Sequence, residues 1–102
     1  MGRALPPVLR RLYAAADGLF DDSGEWWIVW PVDRVASDNM RAWSAGELAS
    51  DLLAFGDDGT GNPFCIQHED RVVHWSWIDG AVALVIGDFD TFLVEWTRVS
   101  DP

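Results

Sequence analysis

From Leu52 to Ile86 the chain is a succession of short apolar runs, rich in β-branched and aromatic residues, each stopped by turn-forming residues. Leu52-Leu53-Ala54-Phe55 runs into Gly56-Asp57-Asp58-Gly59-Thr60-Gly61-Asn62-Pro63, and Phe64-Cys65-Ile66-Gln67 into His68-Glu69-Asp70-Arg71. Val72 to Trp77 then stops before Asp79-Gly80, and Ala81 to Ile86 follows. Period-2 segments broken by such clusters predict strands that reverse on themselves. Folding the chain back at His68–Arg71 sets Ile66 opposite Val73, Cys65 opposite His74 and Phe64 opposite Trp75. One face then carries Phe64, Ile66, Val73, Trp75 and Trp77, and the other Cys65, Gln67, Val72, His74 and Ser76. Asp79-Gly80 predicts a two-residue turn, because Asp and Gly tolerate the positive φ that such a turn needs.

Helical patterns bracket this region. Pro6 and Pro7 suit a first helical turn, where a missing N–H costs nothing, and Leu5, Leu9, Leu12, Tyr13 and Ala16 recur at three- and four-residue steps up to Gly18. Trp26 to Trp30 reads as a further strand, stopped by Pro31. Residues 32–43 predict a short helix with Val32, Val35 and Met40 inward. Residues 44–50 leave two readings open, since Gly46 interrupts a Ser44-x-x-Glu47 start signal. Asp88 is placed to cap a last helix, whose Phe89, Phe92, Leu93, Trp96 and Val99 form an apolar stripe with Arg98 near its end. The expected architecture is α+β: an antiparallel meander of about five strands, the Trp26–Trp30 strand at its edge, with helices at both termini. A chain of 102 residues buries about two-thirds of its unfolded surface, enough for one domain with one core over residues 1–102.

Seventeen acidic groups face seven basic ones, all arginine, for a net charge of −10. This charge disfavours nucleic acid and anionic lipid, whose binding requires cationic side chains, and suits a basic protein partner. Nothing in the sequence is long and apolar enough for a membrane span. One cysteine, Cys65, excludes an internal disulfide and a cysteine-rich zinc site; with no hydrophobic signal core after Met1, it points to the cytoplasm. Monomer and weak homodimer both remain open.

Several motifs combine into a resemblance. Leu5-Pro6-Pro7 opens a helix ending at Asp17-Gly18, the run Leu52 to Asn62 holds Gly-Asp-x-x-Gly-x-Asn, Val72-Val73-His74-Trp75 follows, and Asp88-Phe89-Asp90-Thr91-Phe92-Leu93 starts the last helix. In that order, across residues 5–97, they resemble the SMI1/KNR4 (SUKH) superfamily. Asp17 stands where its members usually carry Asn. The resemblance implies an α+β domain without catalytic activity, which in bacteria commonly serves as an immunity protein that neutralises a polymorphic toxin, often a nuclease. The superfamily also holds eukaryotic scaffold and signalling members, so a non-enzymatic interaction module is the second reading.

Alternatives in chemistry are weaker. The pairs Asp21/Asp22 and Asp57/Asp58 are adjacent in sequence, whereas acid–base pairs face each other across a cleft. Cys65 and His74, opposite one another in the expected register, have no accompanying oxyanion loop. Asp57 to Asn62 lacks the later acidic ligands of a calcium loop and the lysine of a phosphate cradle. Gly56, Gly59 and Gly61 are better explained by backbone geometry, with Asp57 and Asn62 bonding main-chain amides. No metal and no cofactor is expected. Seven tryptophans exceed what so small a core can hide; the strand periodicity puts Trp75, Trp77 and Trp96 inside, leaving Trp26 or Trp27, Trp30 and Trp43 for a contact patch. Carboxylates beside aromatic anchors make hot spots for basic partners. The expected interface comprises Asp21, Asp22, Glu25, Trp27, Asp57 and Asp58.

Overall fold

A computed structural model describes residues 5–15, 17–20, 27–57, 59, 61–68 and 70–96. Their order is α1 (Pro7–Ala15), β1 (Leu19–Phe20), β2 (Trp27–Val29), α2 (Val32–Ser44), β3 (Leu52–Asp57), β4 (Pro63–Gln67), β5 (Arg71–Ser76), β6 (Ala81–Asp88) and α3 (Phe89–Trp96). The fold is α+β. Strands β3-β4-β5-β6 form a four-stranded antiparallel meander in sequence order, as the run-and-turn pattern requires.

The Trp26–Trp30 strand does not join this sheet as expected. Its described part, β2, pairs antiparallel with β1 in a separate two-stranded ladder. The ladder still lies against the meander: Trp30 N–H donates to the Phe55 carbonyl at 2.7 Å just beyond β2. A Cβ built on Gly56 would stand 1.6 Å from the Ile28 carbonyl oxygen, so only glycine allows the two backbones this close. Phe55 is the extra residue of a bulge between Ala54 and Gly56, and its carbonyl is the one that meets Trp30.

The β4–β5 register is one residue away from expectation. Phe64 pairs with His74, Cys65 with Val73, Ile66 with Val72 and Gln67 with Arg71. The reversal spans His68 to Asp70, an odd number of residues, and His68 takes a positive φ of 61° to achieve it. A one-residue slip exchanges the faces of a strand. One face therefore carries Phe64, Ile66, Val72 and His74, and the other Cys65, Val73 and Trp75. The second turn is also wider than the Asp79-Gly80 signal implies. Ser76 pairs with Ala81, leaving four residues, Trp77 to Gly80, in the loop. Ser76 anchors it: its carbonyl accepts from Gly80 N–H at 2.8 Å and its hydroxyl from Asp79 N–H at 3.2 Å.

Helix α3 closes the face that carries Phe64. Asp88 accepts from Thr91 N–H at 2.7 Å, the expected N-cap. The cap aims Phe89 and Phe92 onto Phe55 and Phe64 in an aromatic cluster: Phe55–Phe92 centroids are 5.2 Å apart and nearly perpendicular, and Phe64–Phe92 are 4.8 Å apart. Edge-to-face pairs of this kind contribute about 0.5–1.5 kcal/mol each beyond area burial.

Helix α2 packs on β3 through an unexpected residue. Val35, Asn39 and Ala42 point inward, whereas Met40 is half exposed. Asn39 is fully buried and clips to the backbone of β3. Its Oδ1 accepts from Ala54 N–H at 2.7 Å, and its Nδ2 donates to the Ala54 carbonyl at 2.6 Å and the Val35 carbonyl at 2.7 Å. With Val35 before it and Ala42 after it, Asn39 sits on the same helical stripe as the apolar contacts. The open segment 44–50 contains a helix stop: Gly46, at φ 73°, donates to the Trp43 carbonyl, and Glu47 N–H to the Ala42 carbonyl.

Candidate functional site

Two features of the described surface are large enough to engage another molecule. The first is a cleft of about 340 Å³ between α2 and the loop after β5, lined by Trp30, Asp38, Arg41, Ala42, Glu47, Ala54 and Trp77. Trp30 forms its inner wall because its backbone is pinned to Phe55 and its Nε1 donates to Asp57 Oδ2 at 3.3 Å. The Arg34 guanidinium lies 4.3 Å from the Trp30 ring centroid. Asp38, one turn along α2, accepts from Arg34 at 3.1 Å and meets Arg41 at 3.5 Å. These charges satisfy one another along one helix face. Exposed pairs of this kind contribute little to stability, about 0–1 kcal/mol each, but they fix the positions of two guanidinium groups.

Asp57 has a different role from the one expected of it. Rather than offering an exposed carboxylate, it is about nine-tenths buried. Its Oδ1 accepts from Gly59 N–H at 2.8 Å, and its Oδ2 faces Trp30 Nε1 and, at 3.8 Å, Arg34. The expected backbone role of Asp57 and Asn62 is found: Asn62 Oδ1 accepts from Trp77 N–H at 3.3 Å. Asp21, Asp22, Glu25 and Asp58 lie outside the described residues, as does Trp26. Trp27 begins β2, and only its backbone is described.

The tryptophans are distributed otherwise than the periodicity suggests. Trp30 is buried, and Trp43 is half-buried with its Nε1 donating to the Leu52 carbonyl at 2.9 Å. Trp75 is buried as expected. Trp77 lies beyond the end of β5, where strand alternation no longer governs direction. It is 40% exposed and donates from Nε1 to the Gly61 carbonyl at 2.9 Å, against the edge of Trp75. Trp77 therefore replaces Trp30 and Trp43 as an aromatic available at the surface.

Cys65 and His74 do not form the pair that the expected register allowed. The observed pairing sends their side chains to opposite faces, and His74 rests against the Phe64 ring at 5.1 Å. Cys65 is fully buried, and loss of water raises its thiol pKa far above the ordinary value, so the thiolate needed for nucleophilic attack does not form near neutrality. Among the described residues, no group of three or more His, Cys, Asp or Glu side chains is arranged to hold a metal ion. No described helix is long and apolar enough to cross a membrane.

The second feature is a ridge of apolar side chains at the opposite edge of the sheet. Ile78 is 93% exposed at the loop tip, and Val82, Leu84 and Val85 along β6 are 40–57% exposed. Sequence reasoning took Ala81–Ile86 as an ordinary strand; its lack of any charged residue was the available signal.

Comparison with protein families decides the kinship. The model of the SMI1 / KNR4 family (SUKH-1) matches residues 1–95. The chain belongs to that family. Comparisons with curated proteins and with solved structures find no match. In this SUKH-1 chain, the glycine-rich turn at Gly56–Pro63 joins β3 to β4 and places Asp57 under Trp30. Asp17 Oδ1 accepts from Val32 N–H at 2.9 Å, meeting one of the amides at the start of α2 that the helix itself does not bond.

Proposed function

We propose that this SUKH-1 protein is an immunity-type protein that binds a basic toxin domain and neutralises it by stoichiometric occlusion inside the cell without chemistry of its own. The family match over residues 1–95 carries this reading. The charge of −10, with no lysine, supports it, because a toxin that handles phosphate presents a cationic site that such a surface steers toward and covers. The Arg34 guanidinium over Trp30 and the buried Cys65 fit a protein that recognises rather than transforms. The proposed interface includes Asp21, Asp22, Glu25, Trp27 and Asp58; Asp57 supports it from beneath by holding the turn and Trp30.

Co-expression with the product of the neighbouring gene in its native operon tests the reading. Rescue of growth, with a one-to-one complex on purification, is the expected result; absence of both rescue and complex favours an interaction module in a regulatory pathway. Within a complex, Asp21→Lys with Asp22→Lys slows association by about tenfold and flattens its salt dependence, and Trp27→Ala raises the dissociation rate.

A further inference from the structure

The two edges of the meander are treated differently. At one, β3 is buried along its length and covered by β2, through the Trp30–Phe55 hydrogen bond and the Gly56–Ile28 approach. At the other, β6 presents its outer backbone edge with no strand beside it among the described residues. Proteins protect such edges with lysine, proline, inward-pointing charge, β-bulges or short length. Strand β6 is the longest in the sheet at eight residues, and Ala81 to Ile86 holds neither a charge nor a proline. Its two irregularities opposite β5 add twist but no polarity. Val82, Leu84 and Val85 leave both faces of the strand apolar and open, and Trp77 and Ile78 extend the apolar surface around the turn.

We infer that the outer edge of β6 is a docking strand for an extended segment of a protein partner, with alternating apolar residues between arginine or lysine at both ends. The inference rests on the reading of this chain as a binder of a basic protein and names the surface used. Main-chain hydrogen bonds along the edge supply affinity, and the exposed valines and leucine select alternate side chains. Charge decides the occupant. Exposed Asp79 precedes the strand, and exposed Asp88 and Asp90 end it. A shallow hollow of about 300 Å³ there is lined by Asp70, Arg71, Val85, Gly87 and Asp88, so the carboxylates of Asp70, Asp88 and Asp90 outnumber the one arginine, which stands opposite Asp88. A second copy paired antiparallel about Leu84 would set Asp88 of one copy beside Gly80 and Asp79 of the other at both ends, between molecules of charge −10 each. Like charges there oppose self-pairing, whereas basic ends on a partner segment satisfy both acidic ends.

The test uses the full-length, isotope-labelled protein and two short synthetic peptides of alternating Val and Thr, one ending in Arg-Lys on both sides and one in Glu-Asp. The basic-ended peptide is expected to shift and protect amides of residues 81–86 specifically, the acidic-ended peptide to leave them unchanged, and Leu84→Lys with Val85→Lys to weaken binding at least about tenfold. These side chains are exposed, so the fold is expected to persist, and circular dichroism checks that it does. Unchanged β6 amides at millimolar basic-ended peptide, equal binding of both peptides, or a dimer whose β6 amides are protected without peptide overturns the inference. Toxin neutralisation separates the two claims: rescue unaffected by the double lysine variant sinks the docking edge alone, and peptide binding without rescue sinks the immunity reading alone.

Discussion

Asn39 shows how much one side chain decides. A buried amide with three backbone hydrogen bonds does the work of a neighbouring strand for Ala54, tying α2 to β3 where no ladder reaches. Asn39→Ala leaves the Ala54 N–H and carbonyl buried without these partners and is expected to cost about 2–4 kcal/mol, read as a lower urea midpoint at unchanged slope. Asn39→Leu, though apolar, fares no better, because the loss is of partners rather than of volume. Tyr13 is a second such residue. Its hydroxyl donates to the Trp30 carbonyl at 2.6 Å, and burial, with Asp17 nearby, raises its pKa above the ordinary 10.0. A raised folded-state value means that stability is full below pH 10.0 and is lost as pH rises through the folded value. Burial raises Cys65 in the same direction, from 9.0. Thermal melts are therefore expected to fall on the alkaline side, and Tyr13→Phe with Cys65→Ser to flatten that fall while lowering stability near neutrality.

At the scale of elements, the cap of α3 was more legible than turn lengths and strand faces. Asp88 was readable as the cap of α3 because its position before Phe89 and Phe92 is a local fact, and Thr91 N–H bears it out. The backbone and side-chain hydrogen bonds from Thr91 lower the Asp88 pKa. A lowered folded-state value contributes stability above the unfolded carboxylate value of about 3.9 and loses it as pH falls through the folded value. Asp88→Ala should lower the melting temperature at neutral pH, Asp88→Asn should retain most of it, and the gap between wild type and Asp88→Ala should close in strong acid; a gap constant with pH would show that the charge is irrelevant. Faces proved harder. Whether the His68 turn takes three residues or four determines whether Cys65 and His74 share a side of the sheet, and both lengths suit the local sequence. Met40 and Asn39 are adjacent on α2, and hydropathy favours the wrong one of the two; only the buried backbone N–H and carbonyl of Ala54, which bond to it, make an inward amide favourable.

For the whole molecule, charge and edges set the terms of association. Ten net negative charges on 102 residues repel one another in the compact state. Added sodium chloride shortens the Debye length to about 3 Å near 1 M and should raise the melting temperature, more than the loss of the Arg34–Asp38–Arg41 pairs lowers it; calorimetry across a salt series checks the sign. The same repulsion opposes self-association through the apolar side chains of β6.

The α+β class, the four meander strands in sequence order, the helices before and after them, the cap of α3 and the acidic character were settled by the sequence alone, because each depends on residues close in the chain or on a sum over it; the short strand β1 was not among them. Which tryptophan reaches the surface, that Asp57 turns inward beneath Trp30, that β2 leaves the meander to pair with β1, and that β6 has no strand beside it among the described residues were decided only by tertiary structure. Each depends on what lies opposite in space, where a shift of one residue in register or one residue in a turn exchanges inside for outside.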